Sequence, residues 1–155
     1  MLHILLNYFS TYIFIKLINC KNGQIVRMNI LVTGGSSGIG LEVSRMLIER
    51  SHVVFSLSRT KSAWVNESFF QYNCDIANSD QVDLVFSQLL LDIPSVCIDG
   101  IFLNSGTYSA SSLDTINRDQ FQEIFGVNFF GNLYVLSKAY KSMRSSTIKS
   151  VVINS

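Results

Sequence analysis

The sequence predicts an α/β fold, a doubly wound parallel sheet, on three observations. From Asn29 onward, short apolar runs alternate with amphipathic segments of helical spacing, a pattern that folds through right-handed crossovers into parallel strands. The first run leads straight into a glycine-rich turn and then into a helical pattern. The chain of 155 residues, 48% hydrophobic and 15% charged, is long enough for one domain with its own core. A net charge of +1 leaves no nucleic-acid footprint.

Asn29–Thr33 is the first strand, and its continuous apolar character suits a central strand covered on both faces. Gly38–Glu49 is the first helix. Ile39, Val43, Met46 and Leu47 supply its apolar positions, and Glu42, Arg45, Glu49 and Arg50 face outward. His52–Leu57 and Phe69–Tyr72 are the second and third strands. Asn78 to about Leu91 is a helix, with Asp80 near its start and Val82, Val85, Phe86, Leu89 and Leu90 as its buried stripe. Pro94 blocks its continuation. Val96–Leu103 holds the fourth strand, Arg118–Met143 one long helix, and Ser150–Asn154 the fifth strand.

Residues 1–27 stand outside this alternation. Their apolar part, Leu2–Ile18, is interrupted by His3, Asn7, Ser10, Thr11 and Lys16. It is shorter and more polar than the roughly 20 apolar residues of a membrane span, and it lacks a signal peptide's charged start and small-residue cleavage site. Met28 immediately precedes the first strand. The reading is an N-terminal extension, 1–27, arising from an over-extended start, with a membrane-associating segment as the alternative, and a domain at 28–155. Cys20, Cys74 and Cys97 are odd in number and lack ligand spacing, so they read as reduced thiols in a cytoplasmic protein. With no paired histidines or acidic cluster, no metal is expected.

The chemistry begins at Thr33-Gly34-Gly35-Ser36-Ser37-Gly38-Ile39-Gly40. A glycine at the strand end permits a tight turn, a later one lets backbone approach a pyrophosphate, and a third lets helix pack on strand. Phosphates would sit on the free N–H groups of the helix start. The loop lacks the Lys-Ser/Thr ending of a nucleoside-triphosphate loop. Ser58 and Arg59 stand 18 and 19 positions after Gly40, where a dinucleotide fold that binds NAD carries a carboxylate. A guanidinium there would pair with a 2′-phosphate, so NADP is favoured over NAD. The alternative is a solvated Arg in the polar loop Ser-Arg-Thr-Lys, in which Lys61 could share the task.

The Thr-Gly-x-x-x-Gly-x-Gly spacing resembles the short-chain dehydrogenase/reductase family. Three further motifs strengthen the likeness: Cys74-Asp75-Ile76 after the third strand, Asn104-Ser105-Gly106 after the fourth, and Val127-Asn128-Phe129-Phe130-Gly131 in the long helix. The second is similar to the family's Asn-Asn-Ala-Gly, with Leu103 for the first Asn and Ser105 for Ala. The third is similar to its Val-Asn-x-x-Gly.

This resemblance implies a Rossmann-type sheet and hydride transfer between a nicotinamide and an alcohol/carbonyl pair. The implied cofactor contacts are Thr33, Gly34, Ser36, Ser37, Gly38, Ile39, Gly40, Ser58, Arg59, Asp75, Ile76, Asn104, Ser105 and Gly106. Asp75 would bond the adenine, its alternative being a turn or capping Asp, and Asn104 would brace the sheet. The implied catalytic residues are Asn128, which interrupts its helix and holds a water of the proton relay, and Ser155, which orients the substrate carbonyl. Gly126 and Gly131 flank Asn128, consistent with a bend.

The family's Tyr-x-x-x-Lys acid/base pair lies on a later helix. Tyr134 and Lys138 fit it by letters but precede the fifth strand, so they read as a chance match. The expectation is therefore an N-terminal portion truncated after the fifth strand and inactive alone. The alternative is a non-catalytic dinucleotide-binding module or a decayed reading frame. Implied partners are a nicotinamide dinucleotide and, for the full-length form, a small alcohol/carbonyl substrate and a second copy of the chain, without nucleic acid or membrane.

Overall fold

The computed structural model describes residues 26–92, 97–108, 115, 117–143 and 150–154. The elements in chain order are β1 (Asn29–Thr33), α1 (Gly38–Glu49), β2 (Val53–Ser58), β3 (Phe69–Asn73), α2 (Ser79–Asp92), β4 (Gly100–Leu103), α3 (Arg118–Phe125), a π-helical segment (Gly126–Gly131), α4 (Asn132–Met143) and β5 (Ser150–Ile153). The strands form one five-stranded sheet in the order β3-β2-β1-β4-β5. Every neighbouring pair is parallel; Leu31, for example, lies opposite Phe55 on one side and Ile101 on the other.

The apolar content of the strands explains the layering. Leu31, Phe55, Leu57, Ile101 and Leu103 point to one face, where Val82, Val85 and Leu89 of α2 and Val135, Ala139 and Met143 of α4 cover them. Ile30, Val32, Val54 and Phe102 point to the other, where Val43 and Leu47 of α1 pack. Alternate side chains of a strand point to opposite faces, so a strand buried on both must be apolar throughout; Ile30–Thr33 of β1 is buried at every position. The chain reverses its winding between β1 and β4. In open α/β sheets that is where a crevice opens at the carboxyl ends of the strands.

Several elements depart from the sequence reading. The 118–143 stretch is not one α-helix: its middle winds as a π-helix. Gly131 sits so close to β3's exit that a Cβ there would lie 2.8 Å from the Ile76 carbonyl oxygen and 3.0 Å from that of Gly126. Leu90 is exposed rather than buried, because α2 lays Val82, Val85 and Leu89 on the sheet and turns the next position to solvent. Ile39 is exposed too, lying in the first turn of α1 ahead of the part that packs. Arg45 and Arg50 are half-buried: the Arg45 guanidinium lies 5.3 Å from the Trp64 ring centroid, and Arg50 bonds the Met46 carbonyl at 2.8 Å. β2 starts at Val53 and runs through Ser58, and β4 starts only at Gly100. His52 and Asp99, at those starts, instead use their side chains to hold backbone N–H groups of 28 and 29. Residues 1–25, Pro94, Val96 and Ser155 lie outside the described residues.

Candidate functional site

At the carboxyl ends of β1, β2, β3 and β4 lies a cavity of about 390 Å³. Gly34, Ser36, Ser37, Ser58, Arg59, Asp75, Ile76, Asn104, Ser105 and Gly106 line it, together with Thr60, Cys74 and Val127. The first ten are sequence candidates that the fold brings together from four separate turns.

The β1–α1 turn forms the floor. Gly34 has φ +70° and Gly38 φ +53°, both in the left-handed region where a Cβ is strained. Around Gly38 there is open space, so what its backbone requires is the angle and not the room. Gly40 is the reverse case. A Cβ there would collide with the Gly34 carbonyl oxygen and come within 2.8 Å of the Asn104 amide, so only glycine lets α1 start this close to the strand ends. Ser37 is the N-cap of α1, yet its side chain makes no capping bond, and no acidic residue occupies the first turn. The leading N–H groups of α1 are therefore left for a ligand at the positive end of the helix dipole.

Thr33 and Asn132 stand behind the cavity. The Thr33 hydroxyl accepts from the backbone N–H groups of Asn104 (2.9 Å) and Ser105 (3.0 Å) and donates to Asn132 Oδ1 (3.2 Å). Asn132 Nδ2 in turn donates to the carbonyls of Ser105 (3.0 Å), Asn128 (3.1 Å) and Val127 (3.3 Å). Its buried amide thus ties the π-helical segment to β1 and to the turn after β4, and serves carbonyls that the looser helix leaves underused. Asn104 accepts from Asn154 Nδ2 at 2.7 Å, linking the ends of β4 and β5. Asn128 faces the 106–107 backbone: its Oδ1 accepts from Thr107 N–H (2.7 Å) and its Nδ2 donates to the Thr107 carbonyl (2.9 Å).

On the opposite wall Asp75 is both cavity-lining and turn-forming, since its Oδ1 accepts from Ala77 N–H at 3.0 Å. Arg59 is exposed. Cys74 is buried against the cavity, and burial first, then the Asp75 carboxylate, pushes its thiol up to about 11, so it stays protonated and inert at neutral pH. Thr33, Gly38, Ile39, Gly40 and Asn128 do not line the cavity; Thr33 holds the lining backbone of Asn104 and Ser105, Gly40 permits the close approach of α1 to Gly34 and Asn104, and Asn128 bonds Thr107, next to the lining.

Sequence reasoning missed Asn132, Thr60 and Asn154. Asn132 had a readable signal. It stands three and seven positions before Val135 and Ala139, on the buried stripe of α4, and a polar group in that stripe needs partners.

The Tyr134–Lys138 pair lies elsewhere. Tyr134 donates to both Asp83 carboxylate oxygens at 3.1 Å, Lys138 ion-pairs with the same carboxylate, and the ammonium lies 4.9 Å from the Tyr134 ring centroid. The Lys138 bond, followed by that of Tyr134, holds the Asp83 carboxyl below its ordinary range. This is a surface tie between α2 and α4, not part of the cavity.

A model of the short chain dehydrogenase family matches residues 28–155. The chain belongs to that family. It is similar to the 3-oxoacyl-[acyl-carrier-protein] reductase MabA of Mycobacterium avium, 26% identical over 127 residues that make up 82% of this chain and 48% of the relative. Among solved structures it is similar to ligand-free aldohexose dehydrogenase of Thermoplasma acidophilum, with TM-score 0.73, 24% identity, and 81% of this chain against 48% of that one. It is also similar to a short chain dehydrogenase of Leptospira borgpetersenii solved with NAD+ bound, with TM-score 0.69, 20% identity, and 74% against 45%. These two likenesses concern the fold. The chain spans about half the length of the relatives it matches. Among the described residues no helix is long and apolar enough to cross a membrane.

Proposed function

We propose that the cavity binds a nicotinamide dinucleotide, NADP(H) in preference to NAD(H), and that the chain is the cofactor half of an oxidoreductase acting on an alcohol/carbonyl substrate. One observation carries the reading: the uncapped start of α1, the positive-φ Gly34 and the side chains of Arg59 and Asp75 surround a single cavity at the switch point of the sheet. The pyrophosphate would lie on the leading N–H groups of α1, where fixed dipoles favour an anion. Arg59, with no carboxylate beside it on the end of β2, would pair with the 2′-phosphate. Asp75 and Ile76 would meet the adenine, and Asn104, Ser105 and Gly106 would pass along the rest of the dinucleotide. The nicotinamide supplies the hydride when bound.

Asn128 and Ser155 would act at the far end of the cofactor, Asn128 in proton transfer and Ser155 in orienting the carbonyl. The Asn128 amide, held by Thr107, has the fixed orientation such a part needs.

Two further readings accompany this one. The face of α3, the π-helical segment and α4 exposes Phe121, Phe125, Phe129, Phe130, Leu133 and Tyr140, which favours a homo-oligomer of the whole protein. The buried Cys74 thiol, outside any disulfide, favours a reducing, cytoplasmic setting.

Titrating the purified chain with NADPH and NADH, followed by nucleotide fluorescence, tests the central reading. Saturable binding of NADPH, tighter than that of NADH, is the expected result. Absence of saturable binding of either nucleotide would refute it.

A further inference from the structure

The crossover from β2 to β3 carries no helix, and the Arg59–Lys61 loop that leaves β2 is exposed. An exposed loop is a poor platform for a selective charge, because ordering it on a ligand costs conformational entropy. Here the loop is laid back along one face of β3. Positions 69, 71 and 73 point the same way, as alternate residues of a strand must. Trp64 packs on Phe69 with ring centroids 5.1 Å apart. Gln71 brackets Ser62: its Oε1 accepts from Ser62 N–H at 2.7 Å and its Nε2 donates to the carbonyls of Ser62 (3.3 Å) and Trp64 (3.4 Å). Asn73 Nδ2 donates to the Arg59 carbonyl at 2.7 Å. A second tie comes from across the cavity, where the Thr60 and Ser36 hydroxyls lie 3.3 Å apart.

We propose that Asn73 and Gln71 are positioning residues for cofactor selectivity. By clamping the backbone at Arg59 and Ser62 they hold the Arg59 guanidinium beside the cavity, ready for a 2′-phosphate, at little further ordering cost. The proposal rests on the reading of Arg59 as the 2′-phosphate partner. Neither amide touches the cofactor, so their effect appears only through Arg59.

The test is a double-mutant cycle on the full chain, with NADPH and NADH affinities measured for the parent, Arg59→Ala, Asn73→Ala and the double variant, and with a melt of each. Losing one net hydrogen bond corresponds to about 2- to 10-fold in affinity. Asn73→Ala is expected to weaken NADPH by about that factor and leave NADH unchanged, and to add nothing once Arg59 is already alanine. Gln71→Ala, at the other end of the clamp, is expected to shift NADPH in the same direction and serves should Asn73→Ala fold poorly. Equal weakening of NADPH and NADH, or an Asn73 effect that persists in the Arg59→Ala background, overturns the proposal while leaving the Arg59 reading intact. An Arg59→Ala variant that keeps the parent's preference for NADPH takes down both.

Discussion

The two ends of this sheet handle the same problem in opposite ways. Strand and helix ends carry backbone N–H and C=O groups that need partners. At the amino ends of the strands, side chains supply them. Met28 N–H donates to His52 Nδ1 (3.3 Å), Asn29 N–H to Asp99 Oδ2 (2.8 Å), and Asn29 Nδ2 to the Cys97 carbonyl (3.0 Å). At the carboxyl ends the Thr33 hydroxyl serves two N–H groups, but the α1 start is left uncapped, and Gly40 stands where a side chain would collide with the turn. One end is closed for stability and the other is kept open for a ligand. α3 makes the same point within one molecule. Away from the cavity floor, its N-terminus has a complete capping box, Asn117 accepting from Gln120 N–H at 3.0 Å and Gln120 from Asn117 N–H at 2.9 Å.

The largest effect comes from closing the open end. In Gly40→Val a side chain would enter the space held by the Gly34 carbonyl and the Asn104 amide. Overpacking of this kind costs about 1–3 kcal/mol. Because it displaces the floor of the cavity, dinucleotide affinity is expected to fall at least about 100-fold. A urea melt and an NADPH titration measure the two; an unchanged affinity would mean that the turn does not hold the cofactor.

A milder intervention puts a cap where none exists. Ser37→Asp would satisfy leading N–H groups of α1 and place a negative charge where phosphate is to sit. The melting midpoint should hold or rise slightly, while NADPH binding weakens about tenfold. Weaker binding without loss of stability would separate the two functions of this helix start.

At the closed end the pattern reverses. Asp99→Ala leaves the Asn29 N–H without its carboxylate and should cost about 1 kcal/mol or somewhat more, with cofactor affinity unchanged. A fall in affinity would join the two ends that the geometry keeps apart.

The smallest effect is a pH slope. His52 is buried, its Nδ1 accepts from Met28, and its Nε2 has no partner among the described residues. Burial, then the Arg50 charge, lowers its pKa from 6.5, against an opposing pull from Asp99. The unfolded chain therefore takes up the proton first. The stability His52 contributes is fully present above pH 6.5 and is lost as pH falls from there through the lower folded value. Urea midpoints measured from pH 7.5 down to 5.5 should decline, and His52→Phe should flatten that decline.

The open end was far more legible in the sequence than the closed one. β1 and α1 have the limits read from their apolar periodicity, and the glycine spacing located the turn, because both signals are local. Asn104 and Gly106 were found by resemblance, and they line the same cavity as Arg59 and Asp75. What stayed hidden depends on distant partners. Nothing local says that His52 and Asp99 reach the N–H groups of 28 and 29, or that Asn73 and Gln71 hold the loop before their strand. Leu90 read as buried because three apolar residues in a row cannot by periodicity alone say which one turns outward. The winding of Gly126–Gly131 was equally out of reach. The two glycines announced a bend, whereas the π form follows from the fit of Gly131 against Ile76 and of Asn132 among its carbonyls.

That winding makes the rotational phase of α4 a one-residue matter. Each residue of an α-helix advances about 100°, and a π turn accommodates one residue more than an α turn. Winding these same residues as plain α, with none removed, would spin α4 by roughly that angle. Val135, Ala139 and Met143 would swing off the sheet together, and Asn132 would leave Thr33. The wider turn takes up one residue and so keeps the buried stripe of α4 on the sheet.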